Sequence, residues 1–353
     1  MLVERLQTPS LIVDNKIMQQ NMQAMKKLLA GTDLALRPHF KSHKCAAIAR
    51  WQVQNGAKGM TCAKLSEAAD LADAGIEDIL IANQIVQPQK ISALAQLAND
   101  CKLTVCVDDI SNINAIAAAA KLAGSTVHCL IEYDIGMNRC GVTEPEQVVA
   151  LAECIGSHSS LHFEGIQAYA GHISHVCSLE ERKQMTDANY RKLRSLLSLL
   201  DSKGMHANTL SGGSTGTSVI KSKEGLYTEL QAGSYLFMDS TYRDLDLPFK
   251  NSLFVLSTVV STRPDLTVVD AGVKTCGVDQ GMPALSCGTP KDIVASEEHF
   301  QLHGLDIPHS IGDKVLLIPG HCCSTMNLHD KVYLVEDGKV IDRIAITGRG
   351  FGK

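Results

Sequence analysis

The chain has 353 residues, 45% of them hydrophobic and 20% charged, with a formal net charge of −5. That apolar content excludes a disordered chain, and the acidic balance, with no run of Lys and Arg, excludes non-specific nucleic-acid binding. No stretch reaches the ~18 apolar residues of a membrane span.

Glu4 and Arg5 stand where a secretory leader needs an apolar core, and the twelve cysteines are scattered without a Cys-x-x-Cys pair. A cytoplasmic protein with reduced thiols, and no membrane or nucleic-acid partner, is expected. From the N-terminus onward, short apolar runs at 34–38, 59–63, 78–82, 103–107, 128–133, 163–169, 207–210 and 234–238 read as strands. Helical segments lie between most of them. Residues 65–74 carry apolar and small residues at helical spacing and stop at Gly75. Segments 91–98 and 113–123 look alike, the second with an alanine run of high helix propensity, and the longer 182–202 stops at Gly204.

Eight strand–helix units predict an α/β fold, a (β/α)8 TIM-like barrel over 10–245. A doubly wound sheet also alternates. The barrel is preferred because chemically capable residues follow the strands: His39 and Lys41, then Asp108 and Asp109, then Asp134, Asn138 and Arg139, then Gly171 and His172. Barrel enzymes carry their active sites at that end. Beyond residue 250 the texture changes to β-branched, alternating runs at 254–261, 266–270, 314–318, 331–335 and 340–347, with Asp337-Gly338 as a hairpin turn. A C-terminal all-β domain over 250–350 is expected, with residues 1–13 a candidate addition to it through an apolar run at 11–13.

Several motifs carry chemistry, each beside a plainer alternative. RPHFKSHK (37–44) puts Lys41 after the first strand with His39, His43 and Lys44 nearby. A lysine crowded by cations is more readily a neutral, imine-forming amine; the alternative is a solvated basic loop. SGGSTGT (211–217) can present backbone N–H groups to an anion at the position where barrels bind phosphate, or be an ordinary flexible loop. It lacks the Gly-Lys-Ser/Thr ending of a nucleotide loop.

PGHCCSTMN (319–327) sets His321 and Cys323 two apart, on one face if the segment is extended. Imidazole and thiolate suit a borderline-soft ion such as zinc; the alternative is a buried thiol pair. Arg139, in DIGMNRCG (134–141), can meet an anion or a cofactor ring edge, or form a structural ion pair. Tyr169, in QAYAGH (167–172), can stack on a flat cofactor or fill the core. SEEH (296–299) reads best as a solvated turn. Jointly, a lysine after strand one, an anion loop after strand seven and a following β-domain suggest pyridoxal phosphate.

TPSLIVD (8–14), RPHFKSHK, GIQAYAGH (165–172), SGGSTGT, ELQAGSYLFMD (229–239) and PGHCCSTMN together resemble the fold-type III pyridoxal-phosphate enzymes with an alanine-racemase-like barrel. The resemblance spans about residues 8–347. It is closest to the metal-dependent group of D-threonine aldolase, D-serine dehydratase and D-threo-3-hydroxyaspartate dehydratase. It implies Lys41 as the lysine that carries the cofactor. Gly212, Gly213, Ser214, Thr215 and Gly216 then form the phosphate cradle, assisted by Ser234 and Tyr235. Tyr169 faces the cofactor ring with His39 and Arg139 also in the cofactor site, and His321 and Cys323 hold a divalent metal. Zinc is favoured, with manganese or magnesium as alternatives.

It further implies a homodimer and a lyase acting on a β-hydroxy D-amino acid. The aldolases of the group are typified by His-x-Asp and the dehydratases by His-x-Cys. His321-Cys322-Cys323 follows the second pattern, so dehydration to a 2-oxo acid and ammonia is favoured, with retro-aldol cleavage to glycine and an aldehyde as the alternative. The reading from a different class is a non-catalytic protein that binds pyridoxal phosphate.

Overall fold

The apolar runs assemble into two sheets, seen in a computed structural model that describes residues 1–352. The strands are β1 (Ser10–Asp14), β2 (Ala35–Leu36), β3 (Met60–Cys62), β4 (Asp78–Ile81), β5 (Lys102–Val107), β6 (Val127–Glu132), β7 (Leu161–Ala168), β8 (Thr209–Gly212) and β9 (Glu229–Leu230). They continue with β10 (Leu253–Arg263), β11 (Leu266–Val269), β12 (Ala284–Leu285), β13 (Asp292–Ala295), β14 (Phe300–His303), β15 (Lys314–Ile318), β16 (Lys331–Glu336) and β17 (Lys339–Ala345).

One unit comprises Lys26–Lys41 and Ala46–Gly233. Its eight strands are parallel in the order β2-β9-β8-β7-β6-β5-β4-β3. The two ends of that order meet. The Lys58 N–H donates to Leu36 O and the Thr61 N–H to Pro38 O, both at 2.8 Å, so the sheet curls round on itself as a barrel. Parallel strands buried on both faces read as apolar runs, and β5 is buried at every residue after Lys102.

The intervening helices start and stop where local chemistry dictates. Asp109 caps the helix Ile110–Ala123 by accepting the Asn112 N–H at 3.0 Å, and left-handed Gly124 ends it. Ser178 caps Leu179–Ser202, with Glu180 and Glu181 at the positive end of its dipole.

Seven of the eight expected barrel strands are present. The eighth is not at 234–238, where Ser234–Leu236 is instead a 3-10 turn. It is Glu229–Leu230, paired with β2 and β8. Glu229 is 1% exposed. Its carboxylate accepts from Arg37 at 2.8 and 2.9 Å and from Lys58 at 2.7 Å, while Arg37 also reaches Asp78 at 2.9 Å.

Burial works to raise the Glu229 pKa, but the Arg37 charge and hydrogen bonds, with Lys58, outweigh it and hold it at about 2, against an ordinary 4.5. The folded pKa lies below the unfolded one. Its stabilisation is therefore complete above pH 4.5 and is lost as pH falls through about 2. Removing one member of a buried, hydrogen-bonded charge cluster costs about 3–5 kcal/mol. Denaturant unfolding of Glu229→Ala at neutral pH is expected to show a loss of that size; a change below about 1 kcal/mol would contradict this account.

The other unit comprises Met1–Met25, Ser42–Cys45 and Ser234–Gly350. Its sheet runs β13-β14-β11-β10-β1-β16-β17, with β15 pairing both β10 and β12. The N-terminal strand β1 lies between β10, antiparallel, and β16, parallel. Leu11 and Val13, at 1% and 0% exposed, are core residues of this sheet. The β16–β17 hairpin turns at Asp337 and Gly338, both with positive φ. The SEEH segment is a solvated turn whose Glu297 and Glu298 pair with exposed Lys274.

Candidate active site

At the carboxyl ends of the barrel strands lies a cleft open to solvent. Lys41 reaches it from the 3-10 turn Phe40–Ser42, just after Pro38 has ended β2. Its backbone N–H donates to His39 Nδ1 at 3.4 Å, and His39 lines the same cleft. Tyr169 follows β7. The Lys41 Nζ stands 5.9 Å from its ring centroid and the Arg139 guanidinium 5.5 Å. A Cβ on Gly171 would sit 2.7 Å from the Tyr169 ring, so only glycine there lets the ring lie back against the chain.

Arg139 is positioned by a loop that acidic side chains hold closed. Asp134 accepts the N–H groups of Gly136, Met137 and Asn138 at 2.8, 2.8 and 3.0 Å, and Asp108 accepts that of Gly141 at 2.9 Å. The four residues expected in one cleft, His39, Lys41, Arg139 and Tyr169, are together there.

The cleft also contains residues that the sequence did not single out. Glu132, the last residue of β6, accepts a 2.6 Å hydrogen bond from Gln84 Nε2 and lies 3.9 Å from Arg139. Burial raises its pKa, and Gln84 and Arg139 only partly oppose the shift. Gln231 donates to Gln167 at 2.7 Å and to Ser211 at 2.9 Å. Their one sequence signal was position: each lies at or just beyond the carboxyl end of a barrel strand.

The glycine-rich segment leaves β8 in the same unit. Ser214 opens the 3-10 turn Thr215–Thr217, its N–H donating to Thr217 Oγ1 at 3.1 Å, and the helix Ser218–Glu224 follows. Ser174 Oγ donates to Ser214 Oγ at 2.8 Å. A Cβ on Gly216 would come within 1.9 Å of Ser174 O, so the backbone approaches its neighbour at a distance no side chain allows. The glycines and hydroxyls thus lead directly into the N-terminus of the helix Ser218–Glu224.

Ser234 and Tyr235 belong to the other unit. Ser234 O accepts the Met238 N–H at 2.7 Å, and Tyr235 is a core residue whose ring lies 5.6 Å from Phe249.

In that second unit, β15 runs through Pro319 and Gly320 into His321. The segment is not extended through Cys323, as the two-residue spacing had suggested. His321 is extended (φ −149°), but it caps the short helix Cys322–Asn327, and Cys323 lies in the first turn. The two side chains nevertheless meet, and Asp279 joins them. His321 Nδ1 is 2.7 Å from Asp279 Oδ2, and Ser324 Oγ donates to Asp279 Oδ1 at 2.5 Å. Burial disfavours the His321 imidazolium, but the contacts of Cys323 and Asp279 prevail and raise its pKa to about 9.

A carboxylate on one ring nitrogen fixes the tautomer and orientation of an imidazole that ligates through the other. Asp279 lies 42 residues before His321 in a loop with no motif of its own, and the sequence did not point to it.

A barrel with a lysine, an aromatic ring and a guanidinium at its mouth, followed by a β-domain, is the arrangement for which the comparisons with known proteins supply the class, the alanine-racemase-like enzymes. The family model described as alanine racemase, N-terminal domain, matches residues 13–241, and one described as a serine dehydratase domain matches 252–335. The chain is 40% identical to a D-threonine aldolase of Arthrobacter sp., covering 99% of this chain and 94% of the relative. It is 26% identical to D-threo-3-hydroxyaspartate dehydratase of Delftia sp. strain HT23, covering 91% and 92%. The solved D-threonine aldolase of Filomicrobium marinum superposes with a TM-score of 0.95 at 36% identity, covering 99% of this chain and 98% of that one.

The chain belongs to the fold-type III pyridoxal-phosphate enzymes, in the D-threonine aldolase and D-serine dehydratase group, and is a lyase. Among the described residues no helix is long and apolar enough to cross a membrane.

Proposed function

We propose that the protein cleaves β-hydroxy D-amino acids by retro-aldol reaction to glycine and an aldehyde, using pyridoxal phosphate and a divalent metal. The observation that carries the cofactor assignment is the convergence of Lys41, Tyr169 and Arg139 on one cleft. The residues fit the group: an amine for its aldehyde, a ring to lie against its ring, and a turn of glycines and hydroxyls leading into a helix for its phosphate. In this reading Gly212, Gly213, Ser214, Thr215 and Gly216 take the phosphate with help from Ser234 and Tyr235, and His39 and Arg139 border the ring.

The coenzyme, when bound, supplies an electron sink for negative charge developing at the substrate α-carbon. Lys41 is then the group of this chain that moves a proton at that carbon. His321 and Cys323, their side chains in contact and the imidazole oriented by Asp279, fit a divalent ion, and zinc suits an imidazole–thiolate pair. Such an ion supplies Lewis acidity toward the substrate β-hydroxyl.

In aldol cleavage the hydroxyl proton leaves, the Cα–Cβ bond breaks and Cα gains a proton. In dehydration Cα loses its proton, the hydroxyl leaves as water, and hydrolysis gives the 2-oxo acid and ammonia. Identity to the aldolase well above that to the dehydratase supports the first; the His-x-Cys pair, the dehydratase pattern, keeps the second as the runner-up. The family resemblance supports a homodimer as the working assembly.

The loaded enzyme, incubated separately with D-threonine, D-3-hydroxyaspartate and D-serine, is expected to release glycine and an aldehyde from the first two without ammonia. Ammonia and 2-oxo acid without glycine would transfer it to the dehydratases.

A further inference from the structure

We propose a second divalent-metal site, formed by His128, His162 and Glu164 at the amino-terminal end of the barrel and taking a borderline ion such as Zn²⁺ or Ni²⁺. β6 and β7 run parallel with His128 directly beside His162, and Glu164 lies two residues further along β7. The imidazole rings are 5.1 Å apart, inclined at 66°. His128 Nδ1 is 2.7 Å from Glu164 Oε1, and one ligand atom from each of the three side chains lies within 4.8 Å of the others. Donors bound to one ion at about 2.0–2.2 Å stand roughly 3–3.5 Å apart, so side-chain rotations alone close the set. Two imidazoles and a carboxylate suit zinc or nickel and leave positions for water.

The site is separate from the cleft, because Glu132 and Gln167 line the cleft from the opposite ends of the same two strands. A cation already stands there. Lys102, the first residue of β5, has its Nζ 2.8 Å from Glu164 Oε1 with its side chain 40% exposed. It can swing into solvent when an ion takes its place. A bound ion would tie β6 to β7 and stabilise the barrel by mass action.

The test uses the protein with its coenzyme, stripped of metal by a chelator and titrated calorimetrically with Zn²⁺. A His321→Ala/Cys323→Ala protein is expected to retain one equivalent of Zn²⁺ and to melt at a higher temperature in its presence. In that background His128→Ala/His162→Ala should remove the equivalent, and Lys102→Met should tighten it by about tenfold, the size of effect that neighbours of a metal site commonly have. His162→Gln, a single change at an exposed side chain, should weaken Zn²⁺ at least as much as Lys102→Met strengthens it, with circular dichroism verifying the fold. No Zn²⁺ bound by the His321→Ala/Cys323→Ala protein, or binding there that survives loss of His128 and His162, overturns the proposal.

Discussion

Lys41→Ala is expected to fold normally, to lose the visible absorbance of lysine-bound pyridoxal phosphate, and to lose activity by roughly 10³-fold or more. Two functions disappear together: the attachment point and the group that moves the α-carbon proton. General acid–base catalysis alone contributes roughly 10²–10⁴-fold. Borohydride reduction of the wild-type protein, followed by peptide mass mapping, should place the adduct on Lys41.

The informative competitor is Lys221. Burial lowers its pKa well below the ordinary 10.5, which favours the neutral, nucleophilic amine. It is only 6% exposed, however, with its Nζ 3.3 Å from the Tyr227 ring centroid and 5.1 Å from that of Tyr190. An aldehyde has no approach to an amine enclosed by two rings, whereas Lys41 is half-buried at an open cleft. An adduct on Lys221, or on any lysine other than Lys41, would bring down the cofactor assignment.

The second large effect concerns the metal. Chelation, or either His321→Ala or Cys323→Ala, is expected to lower turnover by roughly 10²–10⁴-fold, corresponding to several kcal/mol of Lewis-acid stabilisation. The absorbance of the coenzyme should stay, because Lys41 and its neighbours contain no part of the metal pair. Asp279→Asn is the graded version. It keeps the shape but removes the carboxylate from His321 Nδ1, and metal affinity should fall by about 10–100-fold. Full turnover after exhaustive chelation, with metal analysis showing an empty protein, would refute the assignment of His321 and Cys323.

Much of the barrel was legible because parallel strands covered on both faces have no alternative to being apolar. The eighth strand was missed for the complementary reason. Its first residue is a buried glutamate, acceptable only because Arg37 and Lys58 arrive from distant parts of the sequence, while the apolar run at 234–238 had the composition of a strand without a neighbour to pair with. The same division holds at the candidate site. Lys41, Arg139 and Tyr169 could be read from their positions after strands. Glu132, Gln84 and Asp279 could not, because their roles come from contacts between segments far apart in sequence, 48 residues for Gln84 with Glu132 and 42 for Asp279 with His321. The His321–Cys323 pair was singled out for its chemistry, and the segment between them is not the extended one its spacing suggested: a strand turning into a helix brings the side chains together as effectively.

The position of β1 has a consequence for biosynthesis. The strand leaves the ribosome well before its hydrogen-bonding partners Leu253–Leu256 and Tyr333–Val335 are made. Until both partners have been made, Ser10–Asp14 is an apolar strand with unpaired edges, the kind of segment that invites aggregation. A fragment beginning at residue 250 would carry the opposite defect, a sheet with a gap between β10 and β16. The C-terminal module is therefore not a detachable cassette, and its first and last stretches of chain must be present together for either to be ordered.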